Sequence, residues 1–261
     1  MTHWNRAVPE LNEASLGAVM NGEVAALRIA GFANEEECSA FRASALRIDV
    51  KRHDAFTSPM QLIGANFSNH SGKSKRAYFD VAHAAERDLQ RIIEGSFDPV
   101  NRVVRALDDS WQGNVDIADE GAPYGKYFAG CIKTRTQSSA MHFDFVPHVA
   151  RDYRISTISE QMAWNIYLAM PANCGQTTVY NHRVTREAVA TDSARPPNFI
   201  DREAVLGAES FTFKAAVGDL VIFNSRCPHE IVVDDVREGE QRMQIGGFAG
   251  LLPDGQMVLW S

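Results

Sequence analysis

From about residue 124 to the end, apolar residues fall into short runs broken by glycine, proline, asparagine and serine. The runs are KYFAGCIKTRT (126–136), SAMHFDFVP (139–147), MAWNIYLAMP (162–171), QTTVYN (176–181), ESFTFKA (209–215), GDLVIFN (218–224), HEIVVDDV (229–236), RMQIGGFAGLL (242–252) and MVLWS (257–261). Many short β-rich segments with turn residues between them predict a sandwich or barrel. The first half has a different period. EVAALRIAGF (23–32) predicts a strand, and ANEEECSAFRASAL (33–46) predicts a helix with Asn34 at its N-cap and acids in its first turn. Two more helical patterns follow at 80–95 and 98–111, the second with Pro99 at an early helical position.

Helices first and strands later is an α+β order, not alternating β-α units. Residues 1–123 therefore read as a mainly helical part packed on a β core at 124–261, together one domain. The stretch 185–205, too polar and Pro-containing for a strand, predicts an insertion at one end of the barrel. Residues 55–78 are rich in Gly, Ser and Asn and predict a loop, with 60–78 a candidate lid.

Composition narrows the partners. At 261 residues and 45% hydrophobic content the chain can bury a real core. A net charge of -7 with no long basic block argues against nucleic acid. The N-terminal residues lack the pattern of a secretory signal, and no stretch is long and apolar enough to span a bilayer, which predicts a cytoplasmic protein without a membrane partner. Cys38, Cys131, Cys174 and Cys227 are scattered without C-x-x-C spacing, so free thiols are expected. The tripeptides starting at Asn66 and Asn69 match the glycosylation pattern only by composition. Oligomeric state is not written in the pattern.

The chemistry starts at AMHFDF (140–145). Alternate residues of a strand share a face, so His142 and Asp144 project together while Met141, Phe143 and Phe145 face the other way. His229 opens a later β run. Two imidazoles and one carboxylate form the facial triad of non-heme Fe(II) sites. A buried His–Asp pair without metal is the plainer alternative, and such ligands also accept Zn. Arg242 follows on the next β run, where it could pair with a carboxylate; Arg237 competes for that role because it lies nearer His229.

The string GDLVIFNSRCPHEIVVDDV followed by Arg242 resembles the distal-histidine and arginine region of Fe(II)/2-oxoglutarate dioxygenases. MPANCGQTTVYN (170–181), GDLVIFN and the ending IGGFAGLLPDGQMVLWS (245–261) resemble, more narrowly, the branch holding the WelO5-type aliphatic halogenases and the SadA-type N-succinyl amino acid hydroxylases. The resemblance covers roughly the C-terminal half. It implies a double-stranded β-helix (jelly-roll, cupin-like) core. It also implies His142, Asp144 and His229 as catalytic iron ligands, and Arg242 as the partner of the distal carboxylate of 2-oxoglutarate. The co-substrates implied are 2-oxoglutarate and O2, with succinate and CO2 as products and an aliphatic C–H of a small molecule as the target. An amino acid or N-acyl amino acid is the expected substrate. Halogenases of this branch carry a small residue where this chain has Asp144, so hydroxylation is the expected outcome, with desaturation open. A cupin-like binding protein without catalysis is the rival from another class.

For substrate contact the candidates are Phe143, His148, Asn165 and Arg186, with Arg151 and Arg183 also near the expected mouth. Phe143 doubles as a core candidate with Phe145, Trp164 and Trp260. Val146-Pro147 breaks the strand, which sets His148 at the mouth and not in the ligand set. Tyr167 and Asn181 lie on β runs whose inward face the period leaves open. His83 and His182 read as structural and turn residues.

Overall fold

The computed structural model describes residues 3–48, 51–53, 60–70, 73–185, 198–234 and 236–261. In chain order the first part holds β1 (His3–Val8), α1 (Glu13–Asn21), β2 (Val24–Ile29), α2 (Glu35–Ala45), β3 (Lys51–His53), β4 (Met60–Ile63), α3 (Lys75–Ile93), α4 (Pro99–Asp108) and β5 (Val115–Ile117). The second part holds β6 (Cys131–Arg135), β7 (Ser139–His142), the single helical turn α5 (Val146–Val149), β8 (Glu160–Ala169), β9 (Gln176–Tyr180), β10 (Ser210–Phe213), β11 (Leu220–Asn224), β12 (His229–Val232), β13 (Arg242–Leu251) and β14 (Met257–Trp260).

Strands β6 to β13 are the core. They divide between a sheet with the order β6-β13-β8-β11 and a facing sheet with the order β7-β12-β9-β10. The chain crosses from one sheet to the other at every step except the β9–β10 hairpin, which is the winding of a double-stranded β-helix. The jelly-roll expectation holds.

The larger sheet does not stop at the jelly roll. On one side β2 pairs antiparallel with β11, and β1 pairs parallel with β2. On the other, β4 pairs antiparallel with β6, and β3 with β4. The second half of β13 pairs with β14, which carries β5 in parallel. The first part of the chain thus contributes strands as well as helices, and one hydrophobic cluster runs from Trp4 and Leu16 to Trp260.

Local chemistry sets the helices. Asn34 caps α2 in a capping box with Glu37, and Asp98 caps α4 with Pro99 at the first turn. Helix α3 starts at Lys75 under the Ser74 cap, five residues before the predicted Asp80. Helix α1, absent from the sequence expectation, has its own capping box from Asn12 and Ser15 and ends on Gly22 in the left-handed region.

Residues 60–70 are not a lid. Met60, Leu62 and Ile63 are buried, and β4 is laddered to β6. Phe67 donates its backbone N–H to the Ser261 carbonyl and packs edge-on against Tyr78 and Tyr153. Small and polar residues around Leu62-Ile63 gave this segment its loop-like texture, but burial against β6 decides its structure. Of the insertion, 185 and 198–205 are among the described residues, the latter ending in a 3-10 turn at Arg202–Val205. No described helix is long and apolar enough to cross a membrane.

Candidate active site

A cavity of about 60 Å³ lies between the two sheets. From the smaller sheet His142, Thr177, His229 and Ile231 reach it; from the larger come Lys133, Arg135, Asn165, Tyr167, Arg242 and Gln244. In most jelly rolls both inner faces are apolar. Here the inner face of β6, β8 and β13 is polar along six positions, which marks the cavity as a binding site.

His142 and His229 are partners across β7 and β12, with ring centroids 4.3 Å apart. Each Nδ1 lies against a carbonyl oxygen, 2.8 Å from Ala140 for His142 and 3.0 Å from Cys227 for His229. A carbonyl can only accept, so both Nδ1 atoms carry the proton and both Nε2 atoms present a lone pair. The Nε2 atoms stand 3.9 Å and 3.6 Å from Asp144 Oδ2.

Burial pushes His142 down to about 3, with the neighbouring His229 adding to the effect, and burial lowers His229 as well. Both rings are neutral at pH 7, the form that binds metal. The three donor atoms lie within 4.8 Å of one another. Closing on one ion needs donor separations of about 3 Å, a short rotation of side chains already aimed inward.

The strand ladder ends at His142, two residues earlier than the strand reading implies. The backbone stays extended because Phe143 N–H donates to Asn198 O at 3.0 Å and Asp144 N–H to Ser225 O at 2.7 Å, while Ser225 Oγ donates to Asp144 O at 2.9 Å. Asp144 therefore stays on the His142 side, and Phe143 turns into the core, fully buried.

Arg242 is buried to 1% exposure. Its Nη2 lies 3.4 Å from Tyr167 Oη and 3.5 Å from Thr177 Oγ1, and its guanidinium stacks over the Tyr167 ring. Nε and Nη1 have no partner among the described residues. Burial lowers the pKa of Arg242, while Tyr167 opposes the shift. Unpaired buried guanidinium N–H groups are costly unless a ligand accepts from them. The neutral imidazoles, the inward carboxylate and the orphaned guanidinium together fit an iron ion with a chelating keto acid.

Of the other candidates, Asn165 lines the cavity and accepts a hydrogen bond from Gln244 Nε2. Phe143 does not line it; it belongs to the core. His148 stands on α5 with its ring edge-on to Phe145 and Phe143, outside the cavity lining. Arg237 is exposed in the turn before β13, so of these two arginines only Arg242 reaches the cavity. Arg151 is exposed, Arg183 pairs with Glu160, and Arg186 lies outside the described residues.

Sequence reasoning missed Lys133, Arg135, Gln244 and Phe199. The alternation in CIKTR was the available signal for the first two, since it puts both cations on one face. Phe199 bridges to His142 from the end of the insertion and stacks on its ring at 5.9 Å; no local pattern announces that contact.

A protein-family model described as carrier-protein-independent halogenase WelO5 matches residues 8–261. The chain is 28% identical to leucinostatins biosynthesis cluster protein S of Purpureocillium lilacinum, over 78% of this chain and 86% of that one. It is 25% identical to the L-gamma-glutamyl-L-propargylglycine hydroxylase of Streptantibioticus cattleyicolor, over 100% of this chain and 98% of that one. Among solved structures, an N-substituted L-amino acid dioxygenase from Burkholderia ambifaria shares the fold at TM-score 0.59 and 16% identity, covering 95% of this chain and 91% of that one. With a match that runs from Val8 to the last residue and takes in the His142, Asp144 and His229 cluster, the chain belongs to the WelO5 family of carrier-protein-independent halogenases.

Proposed function

We propose that this chain is an Fe(II)/2-oxoglutarate-dependent dioxygenase that hydroxylates an unactivated aliphatic C–H of a small molecule, an amino acid or N-acyl amino acid. The observation that carries the reading is the pairing of a neutral His–Asp–His donor set with a buried, half-unpartnered Arg242 across one cavity. The relatives whose names state an activity on amino-acid derivatives support the substrate class. His142, Asp144 and His229 would hold the iron. Arg242 would take the distal carboxylate of 2-oxoglutarate, its charge held in place by Tyr167 and Thr177. Iron with 2-oxoglutarate and O2 supplies the oxidant that attacks the C–H bond, with succinate and CO2 as co-products.

The chain's own work is positioning. The carbonyls of Ala140 and Cys227 fix the tautomer of each histidine, and the buried walls of Phe223, Phe248 and Ala163 limit water around the donors. With iron held by this set, Asp144 would fill the position that a halide would need, which favours hydroxylation over halogenation inside a family described by its halogenase. The helical first part and the jelly roll act as one catalytic domain, since a single core joins them. Four buried free thiols suit a reducing compartment, so the cytoplasm is the proposed location.

Anaerobic addition of Fe(II) and 2-oxoglutarate tests this directly. A visible charge-transfer band is expected, with half-saturation by 2-oxoglutarate raised about tenfold or more in Arg242→Gln, the scale of a lost charge-assisted pair. Bound iron without any band in the native protein would overturn the reading.

A further inference from the structure

Arg135 and Arg242 are partners across β6 and β13, and both guanidinium groups are buried, at 6% and 1% exposure. Like charges directly opposite on a sheet repel, and desolvation adds to the cost. Among the described residues, Asp144 is the one carboxylate that lines the cavity. Arg135 leaves Nε and Nη1 without a partner among the described residues, two buried N–H donors open to an incoming carboxylate. Lys133 shares the face and lines the same cavity.

The charge balance indicates what is missing. Fe(II) and the 2-oxoglutarate dianion cancel each other. Asp144 then offsets one of the two arginines, so the loaded cavity keeps one positive charge with Lys133 neutral and two with Lys133 protonated. In the proposed arrangement the keto acid would not supply the remaining anion, because one of its carboxylates would be held at the iron and the other by Arg242. We propose that Arg135, with Lys133 beside it, receives the carboxylate of the small-molecule substrate. This rests on the function proposed above and narrows its substrate to a free acid.

A second polar group supports the same class. Gln244 is the cross-strand partner of Lys133, and its Oε1 is buried without a donor among the described residues. An N–H one or two bonds from the substrate carboxylate, as in an amino acid or its N-acyl derivative, supplies that donor. Asn165, held by Gln244 Nε2, completes an amide-lined wall next to the cation pair.

The test uses the full chain under anaerobic conditions with Fe(II) and saturating 2-oxoglutarate. The probes are L-leucine, L-valine, L-phenylalanine and their N-acetyl derivatives, each beside its carboxamide, read by the shift of the visible band and by the melting temperature. The expected result is that acids shift both and carboxamides do not. Arg135→Gln should weaken the acid response at least tenfold while moving half-saturation by 2-oxoglutarate less than threefold, and Arg135→Lys should restore part of it. Arg242→Gln should show the opposite split. Arg135→Gln weakening 2-oxoglutarate as much as Arg242→Gln would overturn the assignment, because the carboxylate at Arg135 would then be the keto acid's own. Equal binding of acids and carboxamides, or no response to any acid, would overturn it as well. Loss of the band in the native protein is a separate result that strikes the dioxygenase reading itself.

Discussion

His142 and His229 face each other from neighbouring antiparallel strands with their rings 4.3 Å apart, and each is locked by its Nδ1 to the carbonyl two residues before it. The repetition of one device on β7 and β12 is what turns two buried histidines into two preset ligands. Two imidazoles this close cannot both take up a second proton in a buried site, so the arrangement selects the neutral pair and leaves the Nε2 lone pairs to a metal.

That selection makes the metal-free protein sensitive to acid. The unfolded histidine titrates at 6.5 and folded His142 at about 3. Above 6.5 neither state binds the extra proton, and the group contributes nothing to the pH dependence. As pH falls below 6.5 the unfolded chain takes up the proton and the folded one does not, so stability drops by about 1.4 kcal/mol per pH unit for this one group until about pH 3. His229 shifts in the same direction. Urea melts of metal-free protein between pH 7 and 5 should show this loss, and His142→Asn should flatten the slope by roughly one proton. An unchanged slope in the variant would mean that His142 is protonated in the fold.

Asp144 supplies the only anionic donor in the cluster, at 3.6 Å from His229 Nε2 and 3.9 Å from His142 Nε2. Asp144→Gly should reduce Fe(II) affinity by about 100-fold or more, since even the loss of a partner that only orients a metal ligand costs 10- to 100-fold. Added chloride should recover part of that affinity in the variant and none in the native chain, because only the variant has an open anionic position. Iron titrations at constant ionic strength, with and without chloride, give the comparison.

Much of this site was legible because its signals are local or periodic. The strands from β6 to β14 announce themselves by apolar runs between turn residues, and His142, Asp144, His229 and Arg242 all stand on or beside such runs. Strands β1, β3, β4 and β5 were missed because they take their stability from pairing with β2, β4, β6 and β14, contacts that no local pattern encodes. Helix α1 could have been read: Asn12 with Ser15 three residues on, and Gly22 at the end, are start and stop signals. The cation pair was legible too, in the alternation of Lys133 and Arg135, whereas its placement opposite Arg242 depends on the strand order of the jelly roll.

The four cysteines are free and buried. Burial raises the thiols of Cys38, Cys131 and Cys227 to about 11, so almost no thiolate exists at pH 7. Ellman titration of native protein should show negligible reaction on the minute scale, and denaturant should expose all four. Fast labelling of any of these three in the native state would contradict the packing of the core around them.

Gly218 explains why the GDLVIFN run is worded as it is. It adopts φ +86, and a Cβ placed there would meet the Ala33 carbonyl oxygen at 2.0 Å. Its N–H donates to Tyr167 O at 2.8 Å, so the turn is pinned to β8. The next residue, Asp219, is buried, accepts from the Ala216 N–H at 2.8 Å and pairs with Arg28 Nε at 2.7 Å. Turn and carboxylate together fix where β11 enters the sheet between β2 and β8, and β11 leads through Ser225 and Cys227 to His229. Gly218→Ala should therefore cost at least about 2 kcal/mol, from a left-handed backbone imposed on a non-glycine residue and a clash with main chain that cannot rotate away. Because the displaced strand carries Ser225, which holds Asp144 by both its carbonyl and its hydroxyl, iron affinity should fall with stability. Chemical denaturation beside an iron titration of the same variant checks both, and a normal melt with normal iron binding would show that the turn relaxes without moving β11.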